Sequence, residues 1–231
     1  MKTIGILGGM GPLATADLYR KITLNTEAFR DQDHLHILID SNSSIPDRTA
    51  YLLHGGEDPL PELKRSLLCL EQAGAELILL PCNTAHFFYE RLEEASSVPI
   101  LNMLAETAGY LAQHYPGEIF GLLSTDGTLQ TGIYSHYLES YRLRYCTPQK
   151  TQRFVMEFIY EGIKKGNFSL GTHGLMEAVS ELSSFGATKF LLGCTELSAA
   201  ASQYHFPDYF IDPLLILARR AIQAAGGKVK K

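Results

Sequence analysis

The sequence predicts an α/β fold of two similar lobes, each a parallel sheet flanked by helices, with the functional site in the cleft between them. The first observation is that short apolar runs alternate with longer amphipathic segments along the whole chain. Strands that alternate with helices form parallel sheets covered on both faces. The second observation is that each half opens with a strand and a glycine-containing loop, and later has a strand that ends in a cysteine.

The first half of the chain contains a regular series of predicted strands and helices. Each strand is a short apolar run bounded by glycine, proline or a polar residue. The first helix has Pro12 near its start, where a missing N–H is tolerated. The predicted strands are TIGILGG, LHILID, LILLP and VPILNM, and the predicted helices are PLATADLYRKITLNTEAF, DPLPELKRSLLCLEQAGA, TAHFFYERLEEA and MLAETAGYLAQHY.

The second half repeats this pattern. Its predicted strands are IFGLLS and KFLLG, and its predicted helices are RFVMEFIYEGIKKG, GLMEAVSELSSFGA and FIDPLLILARRAIQAA. The halves align without a gap around their cysteines, AGAELILLPCNTAH (73–86) over FGATKFLLGCTELS (185–198), and at their openings, IGILGGMG (4–11) over FGLLSTDG (120–127). Because ligands of open α/β sheets bind beyond the carboxyl ends of the strands, we expect both cysteines and both loops to face one cleft.

The composition limits the classes of function. The chain has 231 residues, 45% of them hydrophobic and 19% charged, as is typical of a soluble globular protein. A net charge of −5 and a pI near 5.9 argue against nucleic acid or an acidic membrane surface as the main partner. No apolar run approaches the roughly 20 residues that span a bilayer, and the N-terminal run is too short for a signal peptide. We therefore expect a cytoplasmic protein whose four cysteines are free thiols.

Two of the cysteines, Cys82 and Cys194, lie at the junction between a predicted strand and the following helix. The positive end of a helix dipole lowers the pKa of such a thiol from about 8.5 toward neutrality. One thiol on each side of a cleft suits inversion of a carbon centre. The thiolate removes a proton from one face, and the thiol delivers a proton to the other. For Cys69 and Cys146 we expect the ordinary role of a small core residue.

Four segments carry a resemblance to a known family. PCNTAH, GCTELS, the opening GGMGP and NSSIPDRTAY together are similar to the aspartate/glutamate racemase family, and the similarity runs through the whole chain. The resemblance implies a cofactor-independent amino-acid racemase with two α/β lobes and a two-thiol mechanism. Cys82 and Cys194 are then the acid/base pair. Some relatives replace one of these cysteines, and this chain keeps both.

The resemblance also implies which residues contact the substrate. Asn83, Thr84 and Thr195 match contacts to the substrate carboxylate, and Met10 matches a residue that lines the pocket. Independently of the resemblance, Thr125 and Thr128 of the second loop, STDGT, are candidates for further polar contacts to the substrate. A structural turn explains that loop equally well.

Two cations are candidates for binding a second carboxylate of the substrate. Arg48 lies in a polar loop after the second strand, and arginine binds carboxylates through two parallel hydrogen bonds. Lys164 matches a second cation of aspartate-handling members, but the adjacent Lys165 leaves the choice open. Two such cations would select aspartate or glutamate over neutral amino acids. We expect aspartate, with glutamate or a broader range left open because the family includes broad-specificity members.

Two further side chains lie close to the cysteines in sequence. Glu196 follows Cys194 by two residues, where it either raises the pKa of that thiol or caps a helix. His86 lies about one helical turn past Cys82. It either tunes the thiol or packs as a structural side chain, and we favour packing.

The resemblance predicts the domain limits and the assembly. The first lobe would comprise residues 1–99 plus 211–231 and the second residues 100–210, with the C-terminal helix returning to the first lobe. Homodimers are common in the family. The expected partner is a small amino-acid substrate, with no nucleic acid, no membrane, no metal and no cofactor such as pyridoxal phosphate.

A dinucleotide-binding oxidoreductase is the strongest competing interpretation. In GGMGPLA, Gly9, Gly11 and Ala14 satisfy the dinucleotide-binding pattern, and Asp40 ends the next strand. However, Asp40 lies farther from the loop than the usual separation of about 20 residues. A dinucleotide site also leaves the paired cysteines unexplained.

Three more functions are compatible with parts of the sequence. A metal site could use Cys82, His86 and Cys194, although the usual zinc-ligand spacings are missing. A non-catalytic two-lobed binder of small carboxylates would need the loops and cations but not both thiols. Thiol-based isomerases and decarboxylases use similar scaffolds, typically with altered cysteine motifs.

Overall fold

Two four-stranded parallel sheets form the centre of the protein in the computed structural model, which describes residues 1–230. The sheets have the strand orders β2-β1-β3-β4 and β6-β5-β7-β8, so each first strand lies inside its sheet. The strands are β1 (Ile4–Gly8), β2 (Ile37–Ser41), β3 (Leu77–Leu79), β4 (Ile100–Leu101), β5 (Ile119–Leu123), β6 (Arg144–Cys146), β7 (Lys189–Leu192) and β8 (Phe210–Ile211). The predicted α/β fold class of two similar parallel sheets is confirmed.

Helices cover both faces of each sheet. They are α1 (Pro12–Asn25), α2 (Arg48–His54), α3 (Leu60–Gln72), α4 (Tyr89–Glu93), α5 (Met103–His114), α6 (Asp126–Thr131), α7 (Ile133–Ser140), α8 (Gln152–Glu157), α9 (His173–Ser184), α10 (Thr195–Tyr204) and α11 (Pro213–Ala224). Four apolar clusters, two for each sheet, fill the space between helices and strands. Each fully buried leucine or isoleucine there contributes about 1.5–3 kcal/mol.

The internal repeat has a steric basis at its matched glycines. A Cβ at Gly5 would lie 2.8 Å from Ala75, and a Cβ at the matched Gly121 would lie 2.9 Å from Leu182. Both glycines therefore make room for the segment that precedes the neighbouring strand, which is the loop before β3 for Gly5 and helix α9 before β7 for Gly121. Another matched pair, Gly74 and Gly186, follows a helix with φ of +97° and +91°, a conformation that favours glycine.

Several elements differ from the predicted ones. The predicted helix RFVMEFIYEGIKKG is regular only in α8, and continues as a π-helical turn (Phe158–Gly162) and a 3₁₀ turn (Ile163–Lys165). TAHFFYERLEEA begins with a 3₁₀ turn (Thr84–Phe88) before α4. The apolar pattern does not predict strand β6, because RYC is a partly exposed edge strand that contains no apolar run. Phe210–Ile211 pairs as a strand rather than continuing into α11, since Pro213 sets the helix start.

The chain passes twice between the two sheets. Strand β4 pairs with β3 in the first sheet, and α5 then leads to the second. Strand β8 pairs with β7 in the second sheet, after which α11 packs against α1 and α5. The sheets thus extend to Leu101 and Ile211, one or two residues past the predicted limits of residues 99 and 210. The division into lobes stays a prediction.

The cysteines lie in four different environments. Cys82 and Cys194 are buried, Cys146 is half-buried, and Cys69 is exposed. The expectation of a core role is wrong for Cys69, because α3 turns Leu67 and Leu70 inward and leaves the side chain between them facing solvent. All four thiols are free. None of the helices within residues 1–230 is long and apolar enough to cross a membrane.

Candidate active site

A narrow cavity lies where the carboxyl ends of the two sheets face each other. It is nearly closed, with space for about one water molecule. The structure brings every predicted site residue to its wall, namely Met10, Arg48, Cys82, Asn83, Thr84, Thr125, Lys164, Cys194 and Thr195. Four further residues complete the lining, namely Asp47, Thr49, Tyr160 and Glu196.

Cys82 follows strand β3 in a tight turn that His86 holds in place. The His86 ring donates from Nδ1 to the Cys82 carbonyl at 2.8 Å, and its Nε2 accepts from the N–H of Met103 at 3.1 Å. Burial lowers the pKa of His86 to about 4, so the ring is neutral at physiological pH. His86 therefore has the structural role that we favoured over tuning of the thiol, because both of its ring nitrogens form hydrogen bonds with the backbone.

Cys194 lies at the start of α10 beside a carboxylate. Its Sγ donates to Glu196 Oε2 at 2.9 Å, and both side chains are buried. Burial and the negative charge of Glu196 raise the pKa of the Cys194 thiol well above its usual range, although Lys164 acts in the opposite direction. Cys194 is therefore held in its protonated form.

Arg48 brings a buried positive charge to the Cys82 side of the cavity. Its guanidinium donates to the carbonyls of Met10 and Pro46, at 3.0 Å each, while its Nε has no hydrogen-bond partner within residues 1–230. Burial disfavours this charge, but the adjacent Cys82 and Asp47 outweigh burial and raise the pKa of Arg48. Arg48 therefore places a positive charge next to the Cys82 side chain.

The structure decides between the two adjacent lysines. Lys164 Nζ lies 3.3 Å from Glu196 Oε1, with 23% of its side chain exposed. Lys165 pairs instead with Glu161 at 2.5 Å, and 61% of its side chain is exposed. Burial lowers the pKa of Lys164, but Glu196 and Cys194 raise it further than burial lowers it. Of the two lysines, only Lys164 therefore brings its charge to the cavity.

Hydroxyl groups connect the two halves of the cavity. Thr84, which lies two residues past Cys82, shares hydrogen bonds with Thr125 at 3.1 Å and Thr128 at 2.9 Å. In the other half, Thr195 directly follows Cys194 and donates to the Pro81 carbonyl at 3.1 Å. A threonine near each cysteine thus reaches the opposite half. The second loop is both a turn and part of the cavity wall, because Thr125 caps helix α6.

Two matched glycines allow the halves to approach closely. A Cβ at Gly11 would lie 3.1 Å from Glu196 Oε1, and a Cβ at Gly127 would lie 2.7 Å from Thr49 Oγ1. Each glycine belongs to one half of the repeat and faces a cavity residue of the other half. The glycine loops therefore make room for the opposite wall of the site.

The first glycine loop is occupied by protein contacts. The Gly9 N–H donates to Thr15 Oγ1 at 2.9 Å, and the Met10 carbonyl accepts from Arg48. Gly9 has φ of +91°, and a Cβ there would lie 2.3 Å from the Asn42 backbone. These contacts explain the GGMGPLA pattern without a dinucleotide.

Sequence reasoning missed three lining residues. Asp47 accepts from the Ala50 N–H at the start of α2 and from the Tyr160 hydroxyl across the cleft. Its helix-capping position was a usable signal. Burial raises the pKa of Tyr160 to about 12, so its hydroxyl is a neutral donor. No local pattern marks Tyr160 or Thr49, which reach the site only through the packing of the two halves.

A larger open space lies directly outside the closed cavity. It has a volume of about 1270 Å³ and shares Met10, Asp47, Arg48, Lys164 and Glu196 with the cavity wall. Both cations thus lie between the inner cavity and this outer space. Within residues 1–230, no group of three or more His, Cys, Asp or Glu side chains could hold a metal ion.

The fold and the site define a two-lobed α/β protein with one buried thiol from each lobe at a shared cavity. Comparison with known proteins shows which family has this fold and site. Residues 7–221 match the family model described as Asp/Glu/Hydantoin racemase. The chain therefore belongs to the Asp/Glu/hydantoin racemase family, and it is an isomerase of the racemase class.

Individual relatives agree with this assignment. The chain is 29% identical over 227 residues to the broad specificity amino-acid racemase RacX of Bacillus subtilis, covering 95% of this chain and 96% of RacX. Among solved structures it is similar to an aspartate racemase from Picrophilus torridus, with a TM-score of 0.88, 30% identity and coverage of 100% and 97%. An aspartate racemase homologue from Pyrococcus horikoshii gives a TM-score of 0.75, 27% identity and coverage of 97% and 99%.

Proposed function

We propose that the protein interconverts the L- and D-forms of an amino acid, most favourably aspartate, with Cys82 and Cys194 as the two acid/base groups at Cα. The observation that carries this proposal is that the two buried thiols line one closed cavity with opposite charges beside them. Arg48 faces Cys82, and Glu196 hydrogen-bonds Cys194. A racemase needs one base and one acid at the same time.

The proposed step begins with Cys82 as the thiolate and Cys194 as the thiol. The Cys82 thiolate takes the Cα proton, and the electron pair left on Cα delocalises into the α-carboxylate. The Cys194 thiol then gives its proton to the opposite face of Cα, which leaves Cys82 protonated and Cys194 ionised. The opposite enantiomer reverses both transfers. Donors to the carboxylate stabilise the intermediate, and we assign this role to Asn83, Thr84 and Thr195.

The polar groups at the mouth of the cavity support a dicarboxylate substrate. We propose that Arg48 and Lys164 bind the side-chain carboxylate, since two cations in the cavity wall favour an acidic amino acid. Met10 and Thr125 complete the wall of the substrate site. Aspartate racemases are among the similar solved structures, whereas RacX carries the name of a broad-specificity enzyme. Glutamate and neutral amino acids are therefore the substrates to compare with aspartate.

One experiment tests both reaction and substrate. Each pure enantiomer of aspartate, glutamate, alanine and lysine is incubated with the protein in D₂O, and deuterium at Cα and optical rotation are followed. We expect deuterium incorporation with loss of optical rotation, fastest for aspartate. Binding without any deuterium at Cα would instead establish a non-catalytic carboxylate binder.

We further propose that the reaction needs neither a metal nor pyridoxal phosphate, because every proposed proton transfer uses a side chain of this chain. Dialysis against EDTA should leave the rate unchanged, as should hydroxylamine treatment, which removes pyridoxal phosphate. A rate that falls with either treatment would contradict this part of the proposal.

We also propose a cytoplasmic homodimer. Free thiols as working groups suit a reducing compartment. Exposed apolar side chains in the segment from α1 to edge strand β2 support self-association, since Phe29 is 91% exposed, Leu24 is 55% exposed and Ile39 is 43% exposed. Sedimentation equilibrium should give twice the chain mass, and Phe29→Asp should shift the equilibrium toward monomer. Cell fractionation tests the compartment.

A further inference from the structure

We propose that Tyr134 is a positioning residue that fixes the side-chain amide of Asn83, so that the amide N–H₂ group faces the cavity and binds a carboxylate of the ligand. Tyr134 lies on α7 in the second lobe and does not line the cavity. The inference rests on the proposed function for its ligand class, a small carboxylate. Its one hydrogen bond involves neither of the two thiols.

The Tyr134 hydroxyl has a single hydrogen-bond partner. It donates to Asn83 Oδ1 at 2.6 Å, and within residues 1–230 it makes no other hydrogen bond. The side chain is 1% exposed and packs among Leu104, Phe120 and Leu138. Burial raises the pKa of Tyr134 well above its usual range, with Asp212 and Cys194 acting in the same direction. The hydroxyl therefore keeps its hydrogen and stays a donor.

The Asn83 amide is left with an unused donor. Asn83 is 2% exposed, and its Nδ2 is buried without a hydrogen-bond partner in the part of the chain that the structure describes. A buried N–H₂ group without a partner is unfavourable. Because Asn83 lines the cavity, an oxygen-bearing ligand there would satisfy this group.

An asparagine side chain can present either its oxygen or its nitrogen to a given neighbour, and the hydrogen-bond network decides which. If the Asn83 amide were reversed, its oxygen would face the cavity and repel a carboxylate. The Tyr134 hydroxyl would then lose its acceptor in an apolar environment. The buried hydroxyl hydrogen thus selects the orientation that is correct for binding an anion.

The test compares two tyrosines of the same helix. Tyr134→Phe removes the hydroxyl that orients Asn83, whereas Tyr137→Phe removes a hydroxyl that accepts from Asn102 Nδ2, away from the cavity. Three quantities are measured for each variant: KM and kcat for the racemised amino acid, and the Kd of succinate by calorimetry. Tyr134→Phe should raise KM and the succinate Kd about tenfold, with kcat within about threefold. Tyr137→Phe should leave all three unchanged.

A double-mutant cycle separates positioning from a general loss of structure. If Tyr134 acts through Asn83, Tyr134→Phe should have no further effect on succinate binding in an Asn83→Ala background. Asn83→Asp is a second variant that keeps the acceptor for Tyr134 but puts an oxygen in place of the N–H₂ group. It should weaken succinate binding about tenfold or more with little change in Tm.

The outcomes distinguish this inference from the proposed function. Unchanged succinate affinity in Tyr134→Phe, or a full effect of Tyr134→Phe in the Asn83→Ala background, would overturn the role of Tyr134. A different result would overturn the racemase proposal alone. In that case the wild type binds succinate, Tyr134→Phe loses this binding, and the wild type exchanges no Cα hydrogen.

Discussion

The surroundings of Cys82 and Cys194 differ although their sequence motifs are similar. Cys82 has the guanidinium of Arg48 beside it and a neutral His86 on its backbone carbonyl. Cys194 donates directly to the Glu196 carboxylate. Two thiols with similar motifs thus have opposite charges beside them, and the carboxylate next to Cys194 helps to hold that thiol in its protonated form. A repeat of structure therefore does not imply a repeat of electrostatics, because each half places its charged residues independently.

The largest effect is expected from removing either thiol. Cys82→Ser and Cys194→Ser should each lower racemisation about 1,000-fold, since a positioned acid or base typically contributes 10²–10⁴ in rate. Each variant keeps one base, so each should exchange the Cα hydrogen of only one enantiomer, and the two variants should prefer opposite enantiomers. Proton NMR in D₂O measures both. The exposed Cys69→Ser is the control, and exchange of the same enantiomer by both variants would break the comparison.

Glu196→Gln should remove the negative charge that distinguishes the surroundings of Cys194 from those of Cys82. Loss of the carboxylate charge lowers the pKa of Cys194, which burial and Glu196 hold high. The rate of Cys194 alkylation by iodoacetamide at pH 8, followed by mass spectrometry, should therefore rise about tenfold or more, and racemisation should fall by a similar factor. Glu161→Gln removes an exposed carboxylate next to Lys165 and should change neither rate. Unchanged reactivity of Cys194 in Glu196→Gln would show that burial alone protects this thiol.

His86, which holds the turn that contains Cys82, should make the free energy of unfolding depend on pH. The folded protein holds the pKa of His86 at about 4, below the ordinary value of 6.5, because the ring is buried. The unfolded chain therefore binds the extra proton first as pH falls. The free energy of unfolding should decrease from about pH 6.5 to about pH 4, by up to about 3 kcal/mol, and this contribution should be fully present above pH 6.5.

Urea unfolding at a series of pH values measures this slope. His86→Gln should be less stable at neutral pH and should show a shallower decrease toward pH 4. The exposed His114→Gln should keep the wild-type slope. A wild-type slope in His86→Gln would mean that other groups cause the acid destabilisation.

The smallest of these effects concerns the adjacent lysines. Lys164→Met should raise KM for aspartate about tenfold, the usual size of one charge-assisted contact, and should raise KM for alanine much less. Lys165→Met should leave both values unchanged, because its ammonium group pairs with Glu161 outside the cavity. Steady-state kinetics with both amino acids decides the point. Equal effects of the two variants would contradict the assignment of Lys164.

The predicted fold and the predicted site residues depended on different kinds of signal. The alternation of strands and helices follows from local apolar patterns, and matched glycines such as Gly5 and Gly121 reflect the same close packing in each sheet. The residues of the site were found mainly through motif resemblance. The interrupted helix at Phe158–Gly162 was not predicted, because its apolar spacing differs little from that of a regular helix.

The sequence by itself determined the two-sheet architecture and the positions of both thiols, because strand ends and helix starts are encoded by neighbouring residues. Only the tertiary structure decided which lysine reaches the cavity, that Arg48 lies beside Cys82 and which way the Asn83 amide points. Those features depend on residues far apart along the chain, such as Tyr134 and Asn83, 51 positions apart. In a buried site, charges and dipoles a few ångströms apart interact strongly, and a local sequence pattern does not show which of them will be neighbours.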